Sequence, residues 1–461
     1  MNLLPATGDA DASTRLIAAV DRKRSGGPLE PDHIERLVAD FVAGRIPDYQ
    51  MAAWLATVAC RGMSIAETAA LTRAYVDSGE RLDLSGIDRT VLDKHSTGGV
   101  GDNVSLVVVP IVAACGVAIG KVSGRGLGHA GGTIDKLESI SGLRLDLGAA
   151  GMHRLLREVG MVIASQSEDL VPGDRATYAL RDVTGTVESI PLIAASIISK
   201  KVAVGAGGLL LDVKTGAGAL ITDHALSIRL AETMVDLART FGLPCWAVLT
   251  DMSQPLGYAV GNALEVKEAL EVLRGARIPG LSELCRVLSR LMLRMADPGL
   301  TDAAADQRVS HVLDSGAAHE RFLRWAGAQG ADVRVLAQPE LLPTAPHRKI
   351  VIADRPGWVE AVDPRAIGGA AVRVGAGRLV HGAPLDHAAG VTLRRRVGDR
   401  VGIGDPLAEV HYTNGDAATA VALTYSAFTI GAQPPAVRPM VHQLFTPPEP
   451  STHESRLPEG Q

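Results

Sequence analysis

Two glycine-rich segments bracket the most apolar run of the chain, Leu106 to Gly120. The first is Lys94-His95-Ser96-Thr97-Gly98-Gly99-Val100-Gly101-Asp102; the second runs from Ser123 through Gly124, Gly126, Gly128, Gly131 and Gly132 to Thr133, Asp135 and Glu138. Glycines lacking a Cβ let main-chain N–H groups approach an oxyanion, hydroxyls add donors, and a following helix aims its positive end at the same spot. The first segment follows a short extended run, so an anion site where strand passes to helix constrains the fold before anything else. Lys94 supplies the compensating charge. The lysine precedes the glycines and no GKS or GKT triplet closes the run, which excludes a Walker loop, and the glycine offsets exclude a dinucleotide fingerprint. The second segment reads as the other wall of one cleft, with Asp135 and Glu138 as capping or pairing groups at the next helix. Leu106 to Gly120 is shorter than the ~20 residues a membrane span needs and contains Pro110, so it reads as a buried helix.

Ile34 to Val42, Met51 to Arg61 and Ile65 to Ser78 carry helical apolar spacing, which predicts a helical unit over the first eighty residues. Beyond it, β-rich runs (Val107 to Val109, Leu209 to Val213, Trp246 to Leu249) alternate with helical patterns, the mark of an α/β domain. From about Pro346, short strands (Lys349 to Ala353, Ala371 to Val374, Val391 to Arg395) between Gly, Pro and Asp turns predict a smaller α+β domain. The proline-rich end from Gln433 reads as a disordered tail.

Composition removes several function classes. The formal net charge is −5, so no whole-protein field draws in nucleic acid. Aromatic residues make up 3% of the chain, too few for base-stacking surfaces. Cys60, Cys115, Cys245 and Cys285 show no CxxC spacing, which supports neither zinc nor a disulfide framework and suits a reducing compartment. The opening MNLLPATGDADAST lacks a basic region before an apolar core, so a cytoplasmic protein with neither secretory signal nor membrane partner is expected.

Ser123-Gly124-Arg125-Gly126-Leu127-Gly128-His129-Ala130-Gly131-Gly132-Thr133-Ile134-Asp135-Lys136-Leu137-Glu138-Ser139 resembles the signature of the thymidine and pyrimidine-nucleoside phosphorylases over its whole length. Lys94 to Asp102 is similar to that family's phosphate loop. Tyr178 to Thr184 and Ser189 to Lys201 look like its base-binding segment, and Asp212-Val213-Lys214 and Gln254-Pro255-Leu256-Gly257-Tyr258-Ala259 also match. The resemblance runs in order from about residue 15 to 430, closest to the pyrimidine-nucleoside branch. It implies an α/β fold: a helical base-binding and dimerisation domain (1–80 and 173–203), an α/β phosphate-binding domain (81–172 and 204–345) and a C-terminal α+β domain (346–432). Homodimers form through the helical domains in that family.

The resemblance further implies phosphate ligands at Lys94, Ser96, Ser105, Lys121, Ser123 and Thr133. It implies base recognition by Arg181, Ser196 and Lys200, and catalysis by His95, Arg181 and Lys200. Ser196 and Lys200 are four apart, which puts both on one face of a helix begun near Pro191. The implied reaction is phosphorolysis of uridine, thymidine and deoxyuridine to free base and (deoxy)ribose 1-phosphate, with phosphate as co-substrate and no organic cofactor. A histidine with an unperturbed pKa of about 6.5 suits general-acid duty at pyrimidine O2, and phosphate should favour its charged form. Lys121 matches the lysine of the broad pyrimidine-nucleoside branch, where thymidine-preferring relatives carry Met, and Leu220 stands where some of those relatives place Phe. Both favour uridine acceptance over restriction to 2′-deoxynucleosides. A potassium site at Gly101, Asn103, Leu256, Ala259 and Glu268 is also implied, although Asn103 replaces the usual hydroxyl residue. Two rivals compete with this reading: an anthranilate-type phosphoribosyltransferase, for which no convincing acidic magnesium ligands are present, and a non-catalytic nucleoside-binding or phosphate-binding protein.

Overall fold

The computed structural model describes residues 9–126, 131–378, 383–436 and 438–446. Four helices open the chain: α1 (Ala10–Arg24), α2 (Pro31–Val42), α3 (Asp48–Arg61) and α4 (Ile65–Asp77). Their apolar stripes bury Leu16, Ile34, Leu37, Trp54, Leu55 and Leu71 in one core, as the helical spacing predicts. Ser64 and Glu67 form a capping box at the start of α4. The same Glu67 carboxylate pairs with Lys23 of α1 at 3.0 Å, so one buried acid both starts a helix and ties two together.

A parallel sheet follows: β1 (Val91–Ser96), α5 (Val104–Ala114), β2 (Ala118–Ser123), α6 (Thr133–Leu137), α7 (Ala149–Glu158) and β3 (Met161–Ser165). The chain then makes α8 (Pro172–Thr184) and α9 (Ile190–Ala203) before β4 (Gly208–Thr215), α10 (His224–Thr240) and β5 (Cys245–Asp251). The five strands lie in the order β5-β4-β1-β2-β3, all parallel. Every residue of β4 is buried, as in parallel sheets covered on both faces. Helix α9 serves two cores at once. Its Leu192 and Ala195 join the helical core, while Ile193, Ile197 and Ile198 pack with β4 and α10.

The apolar run divides differently from the sequence expectation. Val107 to Val109 lie inside α5 and not in a strand, the helix stops at Ala114, and Ala118 already belongs to β2. Helix α5 is buried on all sides, so it carries no periodicity to tell it from a buried strand.

Helices α11 (Asn262–Leu273), α12 (Leu281–Ala296), α13 (Asp302–Asp314), α14 (Ala317–Ala328) and α15 (Arg334–Ala337) follow a two-residue strand, β6 (Ala259–Val260). α11, α12, α13 and α14 pack against α5. The C-terminal part holds β7 (His347–Ile352), β8 (Gly357–Val362), α16 (Pro364–Arg373), β9 (Gly390–Leu393), β10 (Arg400–Val401), β11 (Pro406–Tyr412), α17 (Ala417–Ser426) and β12 (Phe428–Gly431). Its strands form two antiparallel sheets, β10-β8-β12 and β6-β9-β11-β7, over a core of their own. Ala371 to Val374, expected as a strand, is the end of α16 and its cap. That helix is set by Asp363, whose carboxylate accepts from Arg365 N and Ala366 N, and by Pro364 in its first turn.

The expected disordered tail contains β13 (Val441–Phe445), which pairs antiparallel with β5 at the edge of the main sheet. Residues 447–461 of that tail, and residues 1–8, lie outside the described residues. No helix among the described residues is long and apolar enough to cross a membrane.

Candidate active site

Side chains alternate along a strand, so β1 sends Lys94 and Ser96 to one face and Asp93 and His95 to the other. On the first face Lys94 reaches Asp212 of β4 at 3.1 Å, and Lys214 reaches the same carboxylate oxygen at 2.9 Å. All three are buried, and Thr250 Oγ1 donates to the other Asp212 oxygen at 2.6 Å. Burial works against charge on Lys214, but Asp212 and Asp102 outweigh it and raise its pKa. The Ser96 hydroxyl donates to Asp102 and accepts from Gly98 N. Burial opposes charge on Asp102 too, yet Lys214, Lys94 and Lys136 hold it well below the usual carboxylate range.

Helix α5 starts directly above these groups. Its N-cap Asn103 makes no side-chain cap bond; Val104 N donates instead to Asp102 Oδ1 at 3.4 Å and Leu106 N to the Asn103 carbonyl at 2.9 Å, and Ser105 sits buried in that turn. Gly101 has φ 68°, and a Cβ there would lie 2.9 Å from the Ala259 carbonyl oxygen, so the loop requires glycine at this point. Beneath it Lys136 donates to the Asp102 carbonyl at 2.6 Å and pairs with Glu265 at 2.6 Å.

The other expected phosphate ligands are distributed around this loop. Ser123 ends β2 and Thr133 begins α6, both partly exposed; Leu127 to Ala130 between them lie outside the described residues. Lys121 is buried, and its Nζ donates to the Lys94 carbonyl at 2.8 Å. Burial, reinforced by the charge of Lys201, pushes the Lys121 pKa down to about 7. The acids at the second loop pair as expected. Asp135 accepts from Gly126 N and meets Arg378 at 2.7 Å, and Glu138 meets Arg125 at 2.6 Å.

On the second face, α9 presents Ser196 and Lys200 on one side, as their spacing requires: Lys200 Nζ donates to Ser196 O at 2.7 Å and to its Oγ at 2.9 Å. The same ammonium pairs with buried Asp174 of α8, whose other carboxylate oxygen has no hydrogen-bond partner. His95 departs from expectation. Burial, then the charges of Lys201, Lys121, Lys200 and Lys94, push its pKa well below 6.5 and so favour the neutral ring in the absence of phosphate; its Nδ1 is unpartnered.

Arg181 also differs. It is 1% exposed and donates to the carbonyls of Thr186 (3.4 Å), Val187 (2.9 Å) and Leu192 (3.0 Å), with its guanidinium 5.4 Å from the Tyr178 ring centroid. Two of its donor atoms therefore hold the turn between α8 and α9 and a third holds the first turn of α9, and two N–H groups are left for a ligand.

The implied cation residues come together. Glu268 accepts from Tyr258 N, Ala259 N and Asn103 Nδ2, Leu256 N donates to the Val100 carbonyl beside Gly101, and Asn103 Oδ1 is buried without a partner. Burial and neighbouring Glu265 raise Glu268 to about 7. A buried carboxylate with no cationic partner among the described residues, next to an orphaned amide oxygen, fits a weakly held monovalent ion. No group of three His, Cys, Asp or Glu residues that could hold a metal occurs among the described residues.

Sequence reasoning assigned no role to Asp93, Asp102, Asp174, Lys201, Asp212 or Lys214. The signal was present for two of them: an acid and a lysine inside the otherwise apolar Leu-Leu-Leu-Asp-Val-Lys of β4 are too costly to bury unless they serve something.

Family models match three stretches of the chain: "Glycosyl transferase family, helical bundle domain" over residues 17–79, "Glycosyl transferase family, a/b domain" over 88–319, and "Pyrimidine nucleoside phosphorylase C-terminal domain" over 358–431. The chain is 43% identical to the pyrimidine-nucleoside phosphorylase of Geobacillus stearothermophilus, over 86% of this chain and 92% of that one. It is 42% identical to the Bacillus subtilis enzyme of the same name, over 94% and 100%. Among solved structures it resembles an anthranilate phosphoribosyltransferase from Thermus thermophilus with a TM-score of 0.56 at 19% identity, over 68% of this chain and 99% of that one, a likeness of fold alone.

Proposed function

The chain belongs to the family of the pyrimidine-nucleoside phosphorylases, and from that membership we infer that it catalyses the reversible phosphorolysis of uridine, thymidine and deoxyuridine. The observation that carries this reading is β1 itself. It turns Lys94 and Ser96 to the face that holds Asp212, Asp102 and the start of α5, and turns His95, within reach of the Lys200 charge, to the other.

In this reading phosphate lies against Lys94, Ser96, Ser105, Ser123 and Thr133, with Lys121 behind them. An oxygen of phosphate bonds to C1′ as the C1′–N1 bond breaks, and the bond's electron pair goes to the pyrimidine. The departing ring is an anion on O2 and O4. Lys200, Ser196 and the two remaining N–H groups of Arg181 receive it, and neutral His95 donates a hydrogen bond at O2. Burial of His95, with four lysine charges that disfavour its imidazolium form, supports hydrogen-bond donation over full proton transfer.

Potassium, if bound, would be held by Gly101, Asn103, Leu256, Ala259 and Glu268 and would supply charge balance to the base of the phosphate loop. Exposed Ile17, Val42, Tyr49 and Ile65 on the opening helices support a homodimer through that domain, to be read by light scattering. Free cysteines among the described residues and small polar substrates suit the cytoplasm. Restriction to 2′-deoxynucleosides is not favoured. Phosphate-dependent release of uracil from uridine and thymine from thymidine tests the whole reading; release of neither would end it.

A further inference from the structure

Lys201 follows Lys200 on α9 and is fully buried; its charge acts on His95 and Lys121, but it is placed against neither substrate. Its Nζ lies 2.8 Å from Asp93 Oδ2 on β1 and donates to the Val122 carbonyl of β2 at 3.1 Å. Asp93 is equally buried and stands two residues before His95. Val122 lies between Lys121 and Ser123. One ammonium therefore joins the helix that presents Ser196 and Lys200 to both strands that present the anion-binding groups.

A second pair completes the arrangement with reversed sign. Asp93 of β1 is gripped by a lysine from the end of α9, while the next residue, Lys94, is gripped by Asp212 from β4. Since α9 runs into β4, the two ends of one chain segment hold adjacent residues of β1 on opposite faces. Buried charges cost desolvation and are tolerated when paired in fixed geometry, which makes such a pair a device for register.

We propose that the Asp93–Lys201 ion pair is a positioning element for the reaction: it sets where α9 delivers Ser196 and Lys200 relative to His95 and Lys94. Breaking it spares the binding of each substrate and costs turnover. The proposal rests on the phosphorylase reading, and it makes Lys201 and Asp93 positioning residues, since neither is placed against substrate.

The test compares the full-length parent with two variants. In D93N/K201M both charges are replaced by near-isosteres, avoiding the unpaired buried charge that a single change would leave. In D93E both charges stay and the tie is one methylene longer. Phosphate binding is measured by calorimetry with inorganic phosphate alone, and kcat and KM with uridine. In both variants phosphate affinity and uridine KM should remain within about threefold of the parent while kcat falls about 10-fold to 100-fold, the scale of an ångström's misplacement. Parental kcat in either folded variant, or a loss confined to phosphate affinity, overturns the proposal. A parent that releases no uracil would instead overturn the phosphorylase reading.

Discussion

Lys121 of β2 donates to the main-chain carbonyl of Lys94 of β1 at 2.8 Å, so the residue read as a substrate-range determinant is also bonded to the backbone of the residue read as the phosphate's counter-charge. With its pKa near 7, Lys121 changes charge in the range where such an enzyme works. Lys121→Met should lower kcat/KM for uridine relative to thymidine by about 10-fold, the worth of one lost polar contact. In the parent, the uridine-to-thymidine ratio should fall as pH rises through 7 and Lys121 loses its proton. An unchanged preference in the variant discards the role.

His95→Ala should lower kcat by about 100-fold or more and leave KM for both substrates much less affected. Because burial, then the charges of Lys201, Lys121, Lys200 and Lys94, hold the His95 pKa well below 6.5, the parent's kcat/KM should stay flat through pH 6.5 on the acid side. A limb centred near 6.5 that disappears in the variant would show a working imidazolium instead.

Arg181→Ala removes two bonds to main-chain carbonyls of the turn before α9 and one to the Leu192 carbonyl in its first turn, as well as donors to the base. A loss of about 2–4 kcal/mol in denaturant unfolding is expected, together with a raised nucleoside KM. Arg181→Lys should rescue little, since an ammonium cannot reproduce the guanidinium fork. A variant with parental stability and only weakened base binding would show that the turn does not depend on it.

Glu268 offers a test of cation binding that needs no turnover. Its folded pKa of about 7 lies above the ordinary 4.5, so the folded state holds a proton that the unfolded state has released, and stability from this group is lost as pH rises from about 4.5 through 7. A bound monovalent ion opposes that loss. Replacing choline chloride with potassium chloride should raise the unfolding free energy, and with it Tm, more at pH 8 than at pH 5.5, with a gain of up to about 2.7 kcal/mol if the ion is at a hundred times its Kd. Glu268→Gln should abolish the difference, and equal Tm in both salts at pH 8 would rule the ion out.

The opening helices were legible because Ile34, Leu37, Val38 and Phe41 repeat at helical spacing over a one-sided core. The phosphate loop was legible because Gly98 and Gly101 take φ of 94° and 68°, which other residues avoid. Val107 to Val109 misled because a helix buried all round has lost the contrast between its faces. Val441 to Phe445 were hidden by the prolines around them; what makes them a strand is the open edge of β5, which is nowhere near in sequence. Asp93 and Asp174 could not be paired with Lys201 and Lys200 by spacing, since one ion pair closes only after α9 has packed on β1 and the other only after α9 has packed on α8.

β13 is made after every other strand of its sheet, yet its place is beside β5. During synthesis the outer edge of β5 therefore stays bare while the chain extends from Asp251 to Val441. A ribosome-bound chain halted before Val441 would expose a ready template for another strand, and protection from self-association would arrive only once β13 has emerged.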